Sequence, residues 1–387
     1  MAMGESRQLH DVVSAMRVVI RADSSHRIGS GHIMRCLTLA DRLRQMDVEV
    51  SFLCRDLAGN LSGLIADSGY GVKMLSGEKG RNGGIASAQD AWSAMDWQSD
   101  MQESRQALHD QGGAHWLIVD HYALDWRWES QMRPYASRIM VIDDLANRGH
   151  DCDLLLDQNY YEQMEQRYAG LIPSGCRSLL GPGYVLFRPE FYEKRVSLRE
   201  RTGDVQRVLL FFGGSDPTNE TVKALKALRL VKRTDWEVDV VVGVSNPFRD
   251  EVKSLCSEMP NVSYYLQVSN MAELMARADL AIGAGGTATW ERCLLALPTV
   301  TIVTADNQDE TTRAMAQRGA IHYLGRAEEV SVESLAAAVR EIVSSPMALK
   351  HMGLAAFAVL EGHRADWVRE AFGRQPAEVS DMAPSLL

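Results

Sequence analysis

A histidine follows a short glycine- and serine-rich segment near the beginning of the sequence. Gly29, Ser30 and Gly31 directly precede His32, and an apolar-periodic run begins at Ile33. Glycine lets a backbone approach a bound molecule closely, and the free N–H groups at the start of a helix favour an anion. An imidazole at this position can exchange a proton near neutral pH. The alternative is a histidine that only caps or packs the helix.

The elements that must position this histidine are a strand before it and a helix after it. The β-branched residues 18–20 lead into the segment, and the apolar period of residues 33–45 predicts the helix. The segment therefore lies at the carboxyl end of the first strand, which is where open α/β sheets bind their ligands.

Two further glycine-rich loops occur in the second half of the chain, each between an apolar run and a helical pattern. They are Gly213-Gly214-Ser215 and Gly283-Ala284-Gly285-Gly286-Thr287. Exposed N–H groups and helix N-termini in such loops can form a cradle for a diphosphate. Neither loop is a Walker motif or a complete GxGxxG motif. Each loop taken alone is therefore equally consistent with a tight strand-to-helix turn.

Polar side chains follow the second of these loops. Glu291 lies about one and a half turns into the next predicted helix, from which its carboxylate could reach a ribose diol. The alternative is a solvent-exposed helix glutamate. Asn307 and Gln308 follow the next predicted strand and could donate amide hydrogen bonds to a sugar or a phosphate. They could equally be ordinary loop residues.

Carboxylates also end two predicted strands in the first half. Residues 115–122 finish in Asp120-His121-Tyr122, and residues 138–144 finish in Asp143-Asp144. This pattern is typical of the functional edge of a parallel sheet, although an aspartate after a strand can also be a helix N-cap. No cluster of histidines, cysteines or carboxylates has the spacing of a metal site. We therefore expect neither a metal nor a cofactor.

Composition excludes several classes of protein. The formal net charge of −10 argues against a nucleic-acid partner, and no apolar run is long enough to span a membrane. The six cysteines include no CxxC pair, so they fit a reducing cytoplasm. We expect a small-molecule ligand, no membrane partner, and a monomer or weak oligomer.

Strand and helix patterns alternate from residue 16 to residue 360 of the 387-residue sequence, with a charged linker at residues 200–204. This predicts an α/β chain of two doubly wound domains, residues 16–202 and 203–373, facing each other across a cleft. A polar helix is expected at residues 89–110, and two helices at residues 332–343 and 346–360 should close the second domain. We expect a loose leader at residues 1–15, a mobile loop at residues 76–87 and a disordered tail after residue 374.

A series of motifs in order resembles the UDP-sugar hydrolases of pseudaminic acid biosynthesis, from about residue 16 to about residue 318. The motifs are Arg21-Ala22-Asp23-Ser24-Ser25, Gly29-Ser30-Gly31-His32, Val119-Asp120-His121-Tyr122, Ile142-Asp143-Asp144-Leu145, His150-Asp151-Cys152-Asp153, Gly181-Pro182-Gly183-Tyr184, Arg188-Pro189-Glu190-Phe191, Gly213-Gly214-Ser215-Asp216 and Ala305-Asp306-Asn307-Gln308. The ordered series is far more specific than any single motif. The second half is also similar to the UDP-GlcNAc-using transferase of peptidoglycan synthesis.

The resemblance implies a GT-B fold of two Rossmann-like domains, with UDP held by the C-terminal one. It implies metal-independent release of UDP from UDP-2,4-diacetamido-2,4,6-trideoxy-β-L-altropyranose by water, with inversion at the anomeric carbon. His32 would be the catalytic base. The implied sugar-binding residues are Asp23, Gly31, Tyr122, Arg188, Asn307 and Gln308. The implied UDP-binding residues are Gly213, Gly214, Ser215, Val268, Gly285, Gly286, Thr287 and Glu291.

The sequence departs from the family in a longer segment between residues 76 and 112 and in extra residues at the C-terminal end. Whether Asp23 orients His32 or binds the sugar stays open from the sequence. So do two other functions on the same fold: a glycosyltransferase that uses a UDP-amino sugar, and a non-catalytic sensor of a sugar nucleotide.

Overall fold

The structure is a computed structural model that describes residues 15–77, 92 and 95–373. The predicted leader and tail, and most of the predicted mobile loop, concern residues outside these ranges. Within them, no helix has the length and apolar content needed to cross a bilayer.

The first half of the chain builds one sheet of seven parallel strands. The strands are β1 (Arg17–Ala22), β2 (Glu49–Arg55), β3 (Gly71–Leu75), β4 (Ala114–Asp120), β5 (Ala136–Ile142), β6 (Leu154–Asp157) and β7 (Arg177–Leu180). Their order is β3-β2-β1-β4-β5-β6-β7, and each neighbouring pair is parallel. The central strands are apolar runs buried on both faces, as strands of a covered parallel sheet must be.

The second half builds a six-stranded parallel sheet of the same kind. Its strands are β8 (Arg207–Phe211), β9 (Glu237–Val242), β10 (Val262–Leu266), β11 (Leu280–Ala284), β12 (Thr299–Val303) and β13 (His322–Arg326). Their order is β10-β9-β8-β11-β12-β13, again with parallel neighbours. In both sheets the strand order reverses beside the first strand, between β1 and β4 and between β8 and β11.

Helices cover both faces of each sheet, which confirms the predicted doubly wound α/β architecture. Those that cover the first sheet include α1 (Gly31–Arg44), α2 (Ser62–Asp67), α3 (Trp97–Asp110) and α4 (Trp126–Met132). The next helix, α5 (Pro189–Val196), buries Phe191 in the core of the second half. Those of the second half are α6 (Glu220–Val231), α7 (Arg249–Ser257), α8 (Met271–Arg277), α9 (Ala288–Leu294), α10 (Asp309–Gln317), α11 (Val332–Val343), α12 (Pro346–Ala358) and α13 (Trp367–Phe372).

The helix expected at residues 89–110 lies partly outside the described residues, and within them α3 begins at Trp97. The Asp96 side chain accepts hydrogen bonds from the backbone N–H groups of Gln98 and Ser99, at 3.1 and 3.4 Å, and so caps the helix there. The edge strands β7 and β13 and the short helices α4 and α13 were not predicted. Each has at most seven residues, too few for a clear apolar period.

The last helix crosses back to the first sheet. Trp367, Val368 and Phe372 are buried in the core of the first half, where the Phe372 ring lies 4.9 Å from the ring of Trp116. The predicted boundary at residues 202/203 falls between the two sheets and stays a prediction. The assignment of residues up to 373 to the second domain is wrong for α13, because its apolar face is buried against the first.

Candidate active site

A large cleft lies between the two sheets at the points where their strand orders reverse. Its volume is about 1070 Å³, slightly above the range of roughly 300–1,000 Å³ usual for small-molecule sites. The loops after β1, β4, β8 and β11 all line it. Doubly wound sheets bind their ligands at this edge, so the fold predicts a ligand site among these loops.

Nearly all of the residues assigned from the sequence line this cleft. His32 does, and so do Gly31, Tyr122, Arg188, Asn307, Gln308, Gly213, Gly214, Ser215, Val268, Gly285, Gly286, Thr287 and Glu291. Asp23 does not. The structure thus brings together residues as far apart in the sequence as Gly31 and Gln308.

His32 is held by a carboxylate that the sequence analysis did not assign to it. The His32 Nδ1 lies 2.5 Å from Oδ1 of Asp120, the last residue of β4. An ionised carboxylate only accepts hydrogen bonds, so Nδ1 must carry the proton and the neutral ring keeps its lone pair on Nε2. Among the described residues, none makes a hydrogen bond to Nε2. The free lone pair is therefore available to a molecule in the cleft.

Arg35 keeps the Asp120 carboxylate ionised. The guanidinium donates from Nε to Oδ2 at 2.6 Å and from Nη2 to Oδ1 at 2.7 Å. Burial favours the neutral acid, but Arg35 and then His32 outweigh it and hold the pKa of Asp120 well below its usual range. Arg35 also lies 3.3 Å from Nδ1 of His32, but the shorter contact to the carboxylate decides where the Nδ1 proton points.

Two aromatic rings pack edge-on against the His32 imidazole. The Tyr122 ring centroid lies 4.6 Å away and that of Trp92 lies 5.3 Å away. The Tyr122 hydroxyl donates to a carboxylate oxygen of Asp144 and accepts from the amide of Asn307 at 3.1 Å, which links the two halves of the chain. The rings leave the imidazole little freedom to turn. The sequence carried no signal for Trp92, because its role depends on tertiary packing.

Asp23 is fully buried and forms hydrogen bonds within the core of the first half. Both of its oxygens accept from the Arg21 guanidinium, at 2.6 and 2.8 Å, and one also accepts from Nε2 of His121 at 3.1 Å. The prediction that Asp23 binds the sugar or orients His32 is therefore wrong. Arg21 lies two residues earlier, in β1, and its guanidinium binds the carboxylate of Asp23, which directly follows the strand. Asp120 takes the orienting position instead.

The glycine-rich loops of the second half lie against the first half. Gly213 has a φ of +91°, which only glycine adopts without strain. A Cβ on Gly214 would lie 2.6 Å from Oγ of Ser30, so a larger residue would have to displace the Ser30 hydroxyl. At the second loop, Thr287 precedes α9 and makes no side-chain cap. The N–H groups of Thr289 and Trp290 already donate to the carbonyl oxygens of Gly286 and Thr287, at 2.9 and 3.2 Å. An anion in the cleft would therefore meet the N–H groups that precede Thr289.

Glu291 lies in α9 and forms an ion pair with Arg188, the residue before α5. Its Oε1 accepts from Nη2 of Arg188 at 3.0 Å, while Nη1 of Arg188 lies 3.0 Å from Oε1 of Glu190. Burial raises the pKa of Glu291, and Arg188 only partly offsets this effect. The residue expected at the ribose and a residue expected at the sugar thus already contact each other.

The other predicted contacts lie nearby in the same wall. The Gln308 side-chain oxygen accepts from the backbone N–H of Thr304 at 3.0 Å, so only its amide nitrogen is left for a ligand. Asp144 lines the cleft, whereas Asp143 is buried beneath it and pairs with Arg148 at 2.8 Å. Within the described part of the chain, no group of three histidines, cysteines or carboxylates could hold a metal ion.

Solved structures have the same arrangement of two facing sheets. MurG of Acinetobacter baumannii aligns with a TM-score of 0.58 over 92% of this chain and 98% of its own, at 14% identity. SsfS6, a glycosyltransferase of Streptomyces sp. SF2575 complexed with thymidine diphosphate, aligns with a TM-score of 0.60 over 92% of this chain and 99% of its own, at 15% identity. The chain has the GT-B fold. The fold expected from the motifs is thereby confirmed.

The sequence of this GT-B protein is similar to a known domain family and to two named proteins. Residues 208–364 match the glycosyltransferase family 28 C-terminal domain. The UDP-2,4-diacetamido-2,4,6-trideoxy-β-L-altropyranose hydrolase of Campylobacter jejuni is 28% identical over 305 residues, which cover 79% of this chain and 97% of that protein. The spore coat polysaccharide biosynthesis protein SpsG of Bacillus subtilis is 31% identical over 175 residues, 45% of this chain and 51% of that protein. The resemblance to the hydrolases is confirmed.

Proposed function

We propose that this protein is a hydrolase that releases UDP from UDP-2,4-diacetamido-2,4,6-trideoxy-β-L-altropyranose, with inversion at the anomeric carbon. The observation that carries the proposal is the His32–Asp120 pair, which presents a free Nε2 to the cleft opposite two glycine-rich loops. The chemical identity of the substrate rests on the similarity to the Campylobacter jejuni hydrolase along nearly the whole length of that protein. The reaction would belong to pseudaminic acid biosynthesis in the cytoplasm.

In the proposed reaction, His32 acts as a general base. Water attacks the anomeric carbon and transfers a proton to Nε2 of His32, while the bond from that carbon to the phosphate oxygen breaks. The electron pair of that bond leaves with UDP. Asp120 stabilises the imidazolium that forms, because its carboxylate already accepts the Nδ1 proton. A base of this kind contributes about 10²–10⁴-fold to a rate.

The leaving group would be held by the second half of the chain. The loops that contain Gly214 and Gly286 supply backbone N–H groups, and α9 begins without a side-chain cap. Such dipoles stabilise the charge that grows on a departing diphosphate. UDP is a weakly basic leaving group, so the scheme needs no strong general acid, and it uses no metal.

A glycosyltransferase that uses a UDP-amino sugar is the second candidate. The match of residues 208–364 to a glycosyltransferase domain favours it. The two functions differ only in whether water or an acceptor hydroxyl attacks the anomeric carbon. Release of UDP from the purified protein without any acceptor separates them.

The test is to incubate the protein with UDP-2,4-diacetamido-2,4,6-trideoxy-β-L-altropyranose and to follow UDP and the free sugar by NMR. We expect turnover without an acceptor and no inhibition by EDTA. His32→Asn should abolish turnover, whereas His109→Asn, on an exposed surface, should not change it. Near-normal turnover in His32→Asn would overturn the base assignment. Loss of activity with EDTA that a divalent cation restores would overturn the metal-free scheme.

A further inference from the structure

The arginines that line the cleft differ in whether their side chains form ion pairs. Among the described residues, six arginines lie along it: Arg27, Arg35, Arg127, Arg167, Arg188 and Arg326. Five form ion pairs, which join Arg35 to Asp120, Arg127 to Asp125, Arg167 to Glu310, Arg188 to Glu291 and Arg326 to Asp306. The side chain of Arg27 has no hydrogen bond or ion pair with any residue of the described ranges. Its charge is therefore left uncompensated at the cleft.

A rigid turn carries Arg27. The Ser25 hydroxyl oxygen accepts from the backbone N–H groups of Arg27 and Ile28, at 3.2 and 3.0 Å, and the Gly29 N–H donates to the Ser25 carbonyl at 2.9 Å. Gly29 closes the turn with a φ of +85°. The backbone at Arg27 is thus fixed while its side chain is exposed to solvent.

This turn lies against the first glycine-rich loop of the other sheet. A Cβ on Gly29 would be 3.7 Å from Oγ of Ser215, and Nδ1 of His26 lies 3.2 Å from the carbonyl oxygen of Ser245. The contacts on both sides of Arg27 therefore reach the second half of the chain. Arg27 stands at the lip opposite the backbone N–H groups expected to hold phosphates.

We propose that Arg27 binds the diphosphate of the nucleotide and stabilises it as it leaves. This inference rests on the proposed function and adds a charged contact from the N-terminal half. A guanidinium matches phosphate oxygens in a two-pronged geometry, and a free arginine loses no existing ion pair when it binds. The glycine-rich loops supply partial charges only, so a full positive charge complements them.

Calorimetry of the full-length protein tests this with three ligands: UDP, inorganic pyrophosphate and uridine. Arg27→Gln should weaken the binding of UDP and of pyrophosphate by roughly 10- to 100-fold, as expected for a hydrogen bond to a charged group. Uridine affinity should not change. Arg27→Lys should recover part of the lost affinity, because lysine restores the positive charge but not the two parallel N–H donors of the guanidinium. Arg233→Gln, which removes an exposed arginine paired with Asp235, is the matched control and should bind all three ligands normally.

The outcomes separate this inference from the proposed function. If the wild type binds UDP, and Arg27→Gln binds UDP and pyrophosphate as tightly as the wild type does, the role of Arg27 is overturned. The proposed function is not affected by that result. An equal loss for uridine would also overturn it, because the change would then act on the whole site. Wild-type protein that binds pyrophosphate through Arg27 but does not bind UDP would support the inference and contradict the proposed nucleotide.

Discussion

Replacing Asp120 with asparagine should remove the base without removing the histidine. Arg35 donates to both carboxylate oxygens of Asp120, and the Cys36 thiol also donates to Oδ2, at 3.4 Å. An amide nitrogen at the Oδ2 position would therefore face two donors. At the Oδ1 position, 2.5 Å from Nδ1 of His32, it would face only Nη2 of Arg35 once the imidazole accepts its proton. In Asp120→Asn we therefore expect the amide nitrogen at the Oδ1 position.

An amide N–H at that position donates to Nδ1 and places the ring proton on Nε2. The neutral imidazole then presents a proton, not a lone pair, to the attacking water. The negative charge that stabilises the imidazolium is lost as well. From both effects we expect kcat for UDP release to fall by roughly 10³–10⁴-fold in Asp120→Asn, while KM changes little. Arg35 keeps its contact with Asp144 at 3.3 Å, which helps the fold to tolerate the change.

The assay is steady-state UDP release by wild type, Asp120→Asn, His32→Asn and the double variant. Because the two residues act as one unit, the double variant should be no slower than His32→Asn. Circular dichroism and UDP affinity check that each variant is folded. A folded Asp120→Asn that keeps kcat within about threefold of wild type would refute the reasoning, since a base of this kind is worth far more. An additional loss in the double variant would also refute it.

Three further predictions concern binding and stability. Glu291→Gln should weaken UDP binding by about tenfold but leave pyrophosphate binding unchanged by calorimetry, because the carboxylate is expected at the ribose. Arg201 donates to carbonyls at the ends of α8 and α9, at 2.7 and 2.5 Å, so Arg201→Ala should lower the free energy of unfolding in urea by about 2–4 kcal/mol. Burial opposes the charge on His150, but Asp143 and Glu129 outweigh it and raise the pKa of His150 to about 9. The folded state therefore binds the proton more tightly than the unfolded state, whose pKa is about 6.5, so the free energy of unfolding should fall by about 3 kcal/mol as pH rises from about 6.5 to 9. His150→Gln should flatten that slope, and a steeper or unchanged slope would contradict the assignment.

The sequence predicted the parts of this molecule that depend on local pattern. Apolar runs predicted the central strands, and a histidine after a glycine-rich turn pointed to the residue that the structure places beside Asp120. Parallel topology then brings the carboxyl ends of the strands to one edge. This is why loops as distant as those of Gly31 and Gly286 line one cleft.

What the sequence could not predict depends on pairing between distant elements. Asp120 is 88 residues from His32, and only the hydrogen-bonded register of β1 with β4 brings it beneath α1. Asp23 is nearer to His32 in the sequence, but its ion pair with Arg21 holds it in the core. No local sequence pattern predicts that α13 packs against the first sheet.

The central claim is that water attacks the sugar carbon, and the reaction in water enriched in oxygen-18 tests it most directly. Mass spectrometry of the products should find the label in the anomeric hydroxyl of the released sugar and none in UDP. NMR of the first product formed should show the inverted anomer. Label in the β-phosphate of UDP would mean that water attacks phosphorus. That result would contradict the claim that His32 activates a water molecule that attacks the anomeric carbon.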